Sequence, residues 1–340
     1  MKKQIITKIL LLFLLSAVGF SICTDRRNTI TPKIAEPTQA VLQDPTVVCE
    51  IEPEATTVET IPFSMPQITW KDFDDSYVLT AGKAFIYDCQ TESYLYCKGE
   101  PTDRVYIASI TKLFSIYVAS QYLDPAQEVT VGSGHLSRIH TNSSVAGLRI
   151  GEIVTVDQLY GGMLMPSGND ASYVLATAAG RACAEDPSLS VGTAIGVFVE
   201  EMNRQVQELG LVGTHFVNPD GYHNTNHYSC FDDLVVIAKL SMNNDIVMAY
   251  ANTSTAIISP VVGRTKEWEN TNPLINPSSE FYCPYATGLK TGYTITAGNC
   301  LLSTFDIEGK QYIIGVFGCP AYNSRFSDTL YLFNSIVIKG

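Results

Sequence analysis

The chain has 340 residues, of which 46% are hydrophobic and 16% charged, enough apolar material for one large domain or two modest ones. Its net charge of −12 argues against DNA or RNA as the main partner, because phosphate binding needs a basic face. The same charge argues against adhesion to anionic lipid through a polybasic patch.

Met1-Lys2-Lys3 and Lys8 precede an uncharged run from Ile9 to Cys23, the pattern of a bacterial-type export signal over 1–23. Ala17-Val18-Gly19 offers a small-x-small cleavage site. Left uncut, the segment from Ile5 onward would serve as a short membrane anchor. Ile22 before Cys23 is too bulky for a typical lipoprotein signal. Residues 24–67 read as a spacer, with Pro32, Pro37, Pro45, Pro53, Pro62 and Pro66 among many Thr and Glu and no sustained apolar periodicity. The globular domain is then expected over 68–340.

Within it, Ala84–Tyr87 and Tyr94–Lys98 read as a hairpin turning at Gln90-Thr91-Glu92-Ser93. Helices are expected over Ile110–Tyr122, Thr155–Met165, Asp170–Cys183 (small and buried) and Val191–Leu209, the last closed by Gly210. Ser229-Cys230-Phe231-Asp232 resembles a capping box opening a helix to about Met242. Cys300–Ser303 and Tyr312–Cys319 read as hairpin strands, and a last helix as Asp328–Ile338. A two-residue turn at Gly309-Lys310 would set Cys300 opposite Cys319 for a disulfide. A turn at Glu308-Gly309 would leave them diagonal. Strands at both ends and helices between them predict α+β: one antiparallel sheet with a helical region inserted.

Three short runs carry chemistry. In Ala108-Ser109-Ile110-Thr111-Lys112, a helix start puts Ser109 and Lys112 on one face. A serine hydroxyl needs a base beside it, and Lys112 serves as one only when burial or a second cation lowers its proton affinity. In Pro166-Ser167-Gly168-Asn169-Asp170, Ser167 and Asn169 point into one cleft, placed to relay a proton and to orient an amide or the lysine. In Gly288-Leu289-Lys290-Thr291-Gly292-Tyr293-Thr294, a strand offers a charge and a hydroxyl for a carboxylate, with a glycine where a ligand backbone approaches. Taken singly these are a surface lysine, a helix cap and an edge lysine. No Cys-x-x-Cys spacing points to zinc, and His223-Asn224-Thr225-Asn226-His227 lacks a zincin glutamate and reads as a polar loop.

In the order S-x-x-K, S-x-N, K-T-G, the three runs form a known set. The chain resembles the serine D-alanyl-D-alanine carboxypeptidases, the low-molecular-weight penicillin-binding proteins of peptidase family S11. ASITK, MPSGNDAS, FVNPDGY then NHYS, Trp268–Asn272, and GLKTGYT then AGNC all look like that family's blocks, over roughly 68–340. The resemblance implies a β-lactamase/DD-peptidase-like fold with an inserted all-helical subdomain. It implies Ser109 as nucleophile, Lys112 as base, and Ser167 with Asn169 in proton relay. Lys290, Thr291 and Gly292 would bind substrate, and the backbone N–H groups of Ser109 and Tyr293 would form the oxyanion hole. The substrate implied is a peptidoglycan stem peptide, with β-lactams as inhibitors, no metal or organic cofactor, and an extracytoplasmic location. Pro273 departs from the family pattern. A β-lactamase would share fold and motifs, but no E-x-x-L-N run is present. A transpeptidase or endopeptidase would use the same site, and a non-catalytic wall-binding module would have lost part of it.

Overall fold

Two ten-residue apolar strands near the end of the chain set the architecture. The computed structural model describes residues 77–339. The expected export segment and spacer lie outside these residues.

Strands β1 (Lys83–Asp88) and β2 (Ser93–Lys98) form the expected hairpin. A 3-10 turn (Ala108–Ile110) leads into α1 (Thr111–Ala119). Then come β3 (Glu128–Thr130), α2 (Ser133–Leu136), β4 (Ile153–Thr155), α3 (Val156–Leu164), α4 (Asn169–Cys183) and α5 (Val191–Glu208). These are followed by α6 (Phe231–Met242), α7 (Asp245–Ala251), β5 (Thr255–Ile258) and β6 (Lys266–Glu269). The chain closes with β7 (Ala286–Thr294), β8 (Gly298–Ile307), β9 (Lys310–Cys319) and α8 (Ser324–Lys339). The main sheet runs β2-β1-β9-β8-β7, antiparallel throughout, with α1 to α7 inserted between its early and late strands. This is the α+β arrangement expected.

Both faces of the sheet are covered, so β8 and β9 are buried along most of their length rather than on alternate residues. Phe85, Leu302, Ile313 and Phe317 face α1 and the helical region, while Ile86, Leu301, Ile314 and Val316 face α8. The β8–β9 turn is Glu308-Gly309, with Ile307 opposite Lys310. Both turn residues have positive φ, 52° and 83°, as a two-residue type I′ hairpin requires. That register rules out the face-to-face cysteine pair. Cys300 lies in the α1-side core and Cys319 in the α8-side core, and both are free thiols.

Local rules explain the helices. Thr155 and Gln158 form a reciprocal capping box on α3. In α4 the small residues admit α5: a Cβ on Gly180 would lie 1.8 Å from the Ala194 carbonyl oxygen. Helix α5 ends with Gly210 at φ 70°, and Leu211 N–H donates to Val206 O (2.9 Å), a Schellman closure. The capping box expected at Ser229 does not form. Ser229 is drawn into a backbone bridge with Val105, its hydroxyl meets Thr214 Oγ1 at 2.8 Å, and Cys230 becomes the N-cap without a side-chain bond.

Asp328 on α8 ties down the start of the described chain. Its carboxylate accepts from the Thr80 N–H, the Thr80 hydroxyl and the Ala81 N–H at 3.2, 2.9 and 2.6 Å, and from Tyr77 OH. Asp328→Ala leaves the buried Ala81 N–H and the partly buried Tyr77 and Thr80 donors without their acceptor and should cost about 2 kcal/mol, read as a lower urea midpoint with an unchanged slope.

Candidate active site

Three separate parts of the chain converge at the junction of sheet and helical region. Helix α1 supplies Lys112, the turn before α4 supplies Ser167, the first residue of α4 is Asn169, and β7 supplies Lys290 to Tyr293. Ser109 does not sit on the α-helix as expected but in the 3-10 turn that precedes it, after Ala108 at φ 47°. Thr111 braces this turn. Its hydroxyl donates to Ala108 O (2.7 Å) and meets His227 Nε2 at 2.7 Å. His227 Nδ1 accepts the Val217 N–H (3.2 Å), so Nε2 carries the proton. Burial drives the imidazole down to about 3, and it remains neutral. His223 instead lies edge-on to Tyr106 and lines the cleft.

Lys112 is fully buried. Its Nζ donates to Ser109 Oγ, Asn169 Oδ1 and Asp220 O, each at 2.8 Å. Ammonium has three donors, so all three are used and none reaches Ser167. Burial lowers the lysine to about 8, opposed by the charges of Asp220 and Asp170. An amine of lowered proton affinity thus sits 2.8 Å from a serine hydroxyl, an arrangement suited to proton transfer.

Ser167 is buried, with φ 61°. Gly168 follows it, where a Cβ would lie 2.6 Å from Ala146 N. Asn169 is the first residue of α4 rather than part of a turn. Next to it, the Asp170 carboxylate accepts the N–H groups of Ala146 (2.7 Å) and Leu148 (2.9 Å), fixing the loop that carries Ser143 and Ser144 at the cleft.

Lys290 is buried on β7, not at an exposed edge, and donates to Thr291 O (3.1 Å). Burial, then Lys112 and Arg325, push its proton affinity well down. Thr291 Oγ1 meets Thr271 Oγ1 at 2.6 Å. Gly292 makes room for the protein's own backbone: a Cβ there would lie 2.7 Å from Ile107 O and 3.3 Å from Ser109 N. Tyr293 is exposed at the cleft. Pro273 occupies the first position of a 3-10 turn capped by Asn272, where its missing N–H costs nothing.

The cleft holds about 860 Å³ and is lined by Ser109, Ser167, Asn169, Thr291, Gly292 and Tyr293, among others. Two contributors escaped the sequence reading. Arg325 on α8 lines the cleft, donates to Gly292 O (3.1 Å) and lies 4.4 Å over the Tyr322 ring. No motif marks it, because it comes from a separate helix. Asp220 supplies the carbonyl that holds Lys112. It falls inside the FVNPDGY block, but nothing in the residue type announces a main-chain role.

A family model for D-alanyl-D-alanine carboxypeptidase (Peptidase S11) matches residues 72–321. The chain is 31% identical to the D-alanyl-D-alanine carboxypeptidase of Streptomyces sp. (strain K15), over 72% of this chain and 82% of that protein. It is 29% identical to D-alanyl-D-alanine carboxypeptidase DacF of Bacillus subtilis (strain 168), over 72% of this chain but 59% of that protein. The crystal structure of the Streptomyces K15 DD-transpeptidase superposes with a TM-score of 0.68 at 29% identity, covering 76% of this chain and 97% of that one. Penicillin-binding protein D2 of Listeria monocytogenes, in its cefotaxime-bound form, shares the fold with a TM-score of 0.62 at 24% identity.

One glycine is critical to the 3-10 turn that carries Ser109. Gly221 has φ 84°, and a Cβ there would lie 1.9 Å from Ala108 O. Gly221→Ala must displace Ser109. Acylation of the full chain by a fluorescent penicillin should slow about a hundredfold, with the far-UV circular dichroism spectrum unchanged.

Proposed function

The chain belongs to the D-alanyl-D-alanine carboxypeptidase family, peptidase S11, and from that membership we propose that it trims the terminal D-Ala from peptidoglycan stem pentapeptides through an ester at Ser109. The observation that carries this reading is the buried Lys112, with Nζ 2.8 Å from Ser109 Oγ. Neutral Lys112 takes the hydroxyl proton as Ser109 Oγ bonds to the carbonyl carbon of the penultimate D-Ala. The developing oxyanion is held by the backbone N–H groups of Ser109 and Tyr293, an interaction worth several kcal/mol of barrier in such sites. Lys290, Thr291 and Arg325 take the terminal carboxylate, whose negative charge in turn favours the protonated form of the buried Lys290. Gly292 lets β7 run close enough to the nucleophile turn for these contacts to coexist.

Collapse of the tetrahedral species breaks the C–N bond, and the proton passes to the departing D-Ala amine. Ser167 relays it once the Lys112–Ser109 bond is given up, with Asn169 keeping Nζ in place. Water then hydrolyses the ester with Lys112 as base, freeing Ser109. No described residue lining the cleft is a carboxylate, so hydrolysis has no glutamate of the β-lactamase kind to draw on. A β-lactam acylates the same serine, and its amine stays tethered, so the adduct persists. The site reads as extracytoplasmic, with export through segment 1–23 and attachment to the envelope if that segment is retained.

Incubation of the full chain with penicillin should give a single lasting mass adduct on Ser109, absent from Ser109→Ala. Rapid penicillin loss without an adduct would favour the β-lactamase reading. No adduct and no turnover in folded protein would sink the catalytic one.

Because Lys112 works deprotonated, the wild-type acylation rate should fall as pH drops through about 8, where burial places the lysine. A stopped-flow profile against a chromogenic cephalosporin tests this. A flat profile from pH 6 to about 10 would contradict it.

A further inference from the structure

Among the described residues, one buried carboxyl that the steps above do not use has an oxygen without a partner. The Asp220 side chain is fully buried, which pushes its carboxyl up; Oδ1 accepts the Tyr222 N–H at 3.2 Å, and Oδ2 has no partner. A buried carboxylate oxygen without a donor is costly unless a cation stands nearby or the group takes up a proton. The titratable groups facing it are Lys112 from α1, Tyr173 from α4 and His140 from the loop after α2. The His140 ring stacks on Tyr222, with centroids 3.8 Å apart and planes 12° apart. The groups facing Lys112 are Asp220, Asp170 from α4, Lys290 from β7 and His227.

The two carboxylates near Lys112 are not equivalent. Asp170 spends both oxygens on backbone N–H groups, those of Ala146, Leu148 and Ala171. Asp220 has an oxygen to spare, and its own carbonyl anchors the lysine at 2.8 Å. One residue therefore anchors Lys112 through its carbonyl and carries an uncommitted carboxyl whose charge acts on that lysine.

We propose that the Asp220 carboxyl is a positioning residue that holds the proton on Lys112 in the resting enzyme and so sets the pH at which Lys112 becomes a base. The proposal rests on the reading of Lys112 as the base. The two groups titrate as a coupled pair. Removing the acidic partner leaves Asp170, whose oxygens are both committed to backbone N–H groups, as the remaining carboxylate facing the lysine, which then releases its proton more readily.

The test is acylation of the full chain by a fluorescent penicillin, followed from about pH 5.5 to 10 in wild type, Asp220→Asn and Asp220→Ser. Both variants keep the backbone carbonyl, and the second serves if the first does not fold. The acid limb should move down by half to one pH unit. The rate at low pH relative to each protein's own plateau then rises about three- to tenfold. A purely structural role would lower the rate by one factor at every pH and leave the midpoint in place, and that result overturns the proposal. If Lys112→Ala still acylates at the wild-type rate, the base reading itself has failed and the proposal falls with it.

Discussion

The site depends on taking one amine out of water. A lysine in solvent is almost always protonated at neutral pH and activates nothing. Lys112 is placed where charge is expensive, and its three hydrogen bonds replace hydration only with neutral acceptors: a hydroxyl, an amide oxygen and a carbonyl. Lys112 and Arg325 in turn lower Lys290, and burial weakens all three cations. The fold supplies this dryness by converging α1, the turn before α4, the loop around Asp220 and one sheet edge on a single point. No one of these could bury the amine alone.

Such convergence makes demands on the backbone. Ala108 and Ser167 sit at positive φ without being glycine, at 47° and 61°. Each conformation is held by its surroundings, Ala108 through the Thr111–His227 pair and Ser167 through the packing of Gly168 on Ala146. Strain of this kind persists where neighbouring structure over-determines it. Gly221 and Gly292 both pack closely on the 3-10 turn that carries Ser109, so its position is fixed by close backbone contacts rather than by its own side chain.

Much of this was legible in the sequence where one interaction dominates. Gly210 predicted the end of α5, because a left-handed closing residue is a local requirement. The long apolar strands and the small-residue helix α4 followed from burial pattern. The three motif runs placed Ser109, Lys112, Asn169 and Lys290 together, as the geometry has them. What failed was tertiary. The Ser229 box had the right residues, but a backbone bridge to Val105 took Ser229 elsewhere. The cysteine pair turned on one residue of hairpin register, which periodicity cannot fix. Strands β3 to β6 have three or four residues each, too short to leave a period. Arg325 enters the cleft from a helix far along the chain, and Asp220 acts through its carbonyl, which every residue type possesses.

The central claim is that Lys112 is a base of reduced proton affinity. The most direct measurement is its own titration, by NMR of lysine labelled at the ε position, with Lys112→Arg used to assign the signal. The account predicts a midpoint near 8. A midpoint close to the ordinary lysine value of about 10.4 would contradict it and leave Ser109 without a base.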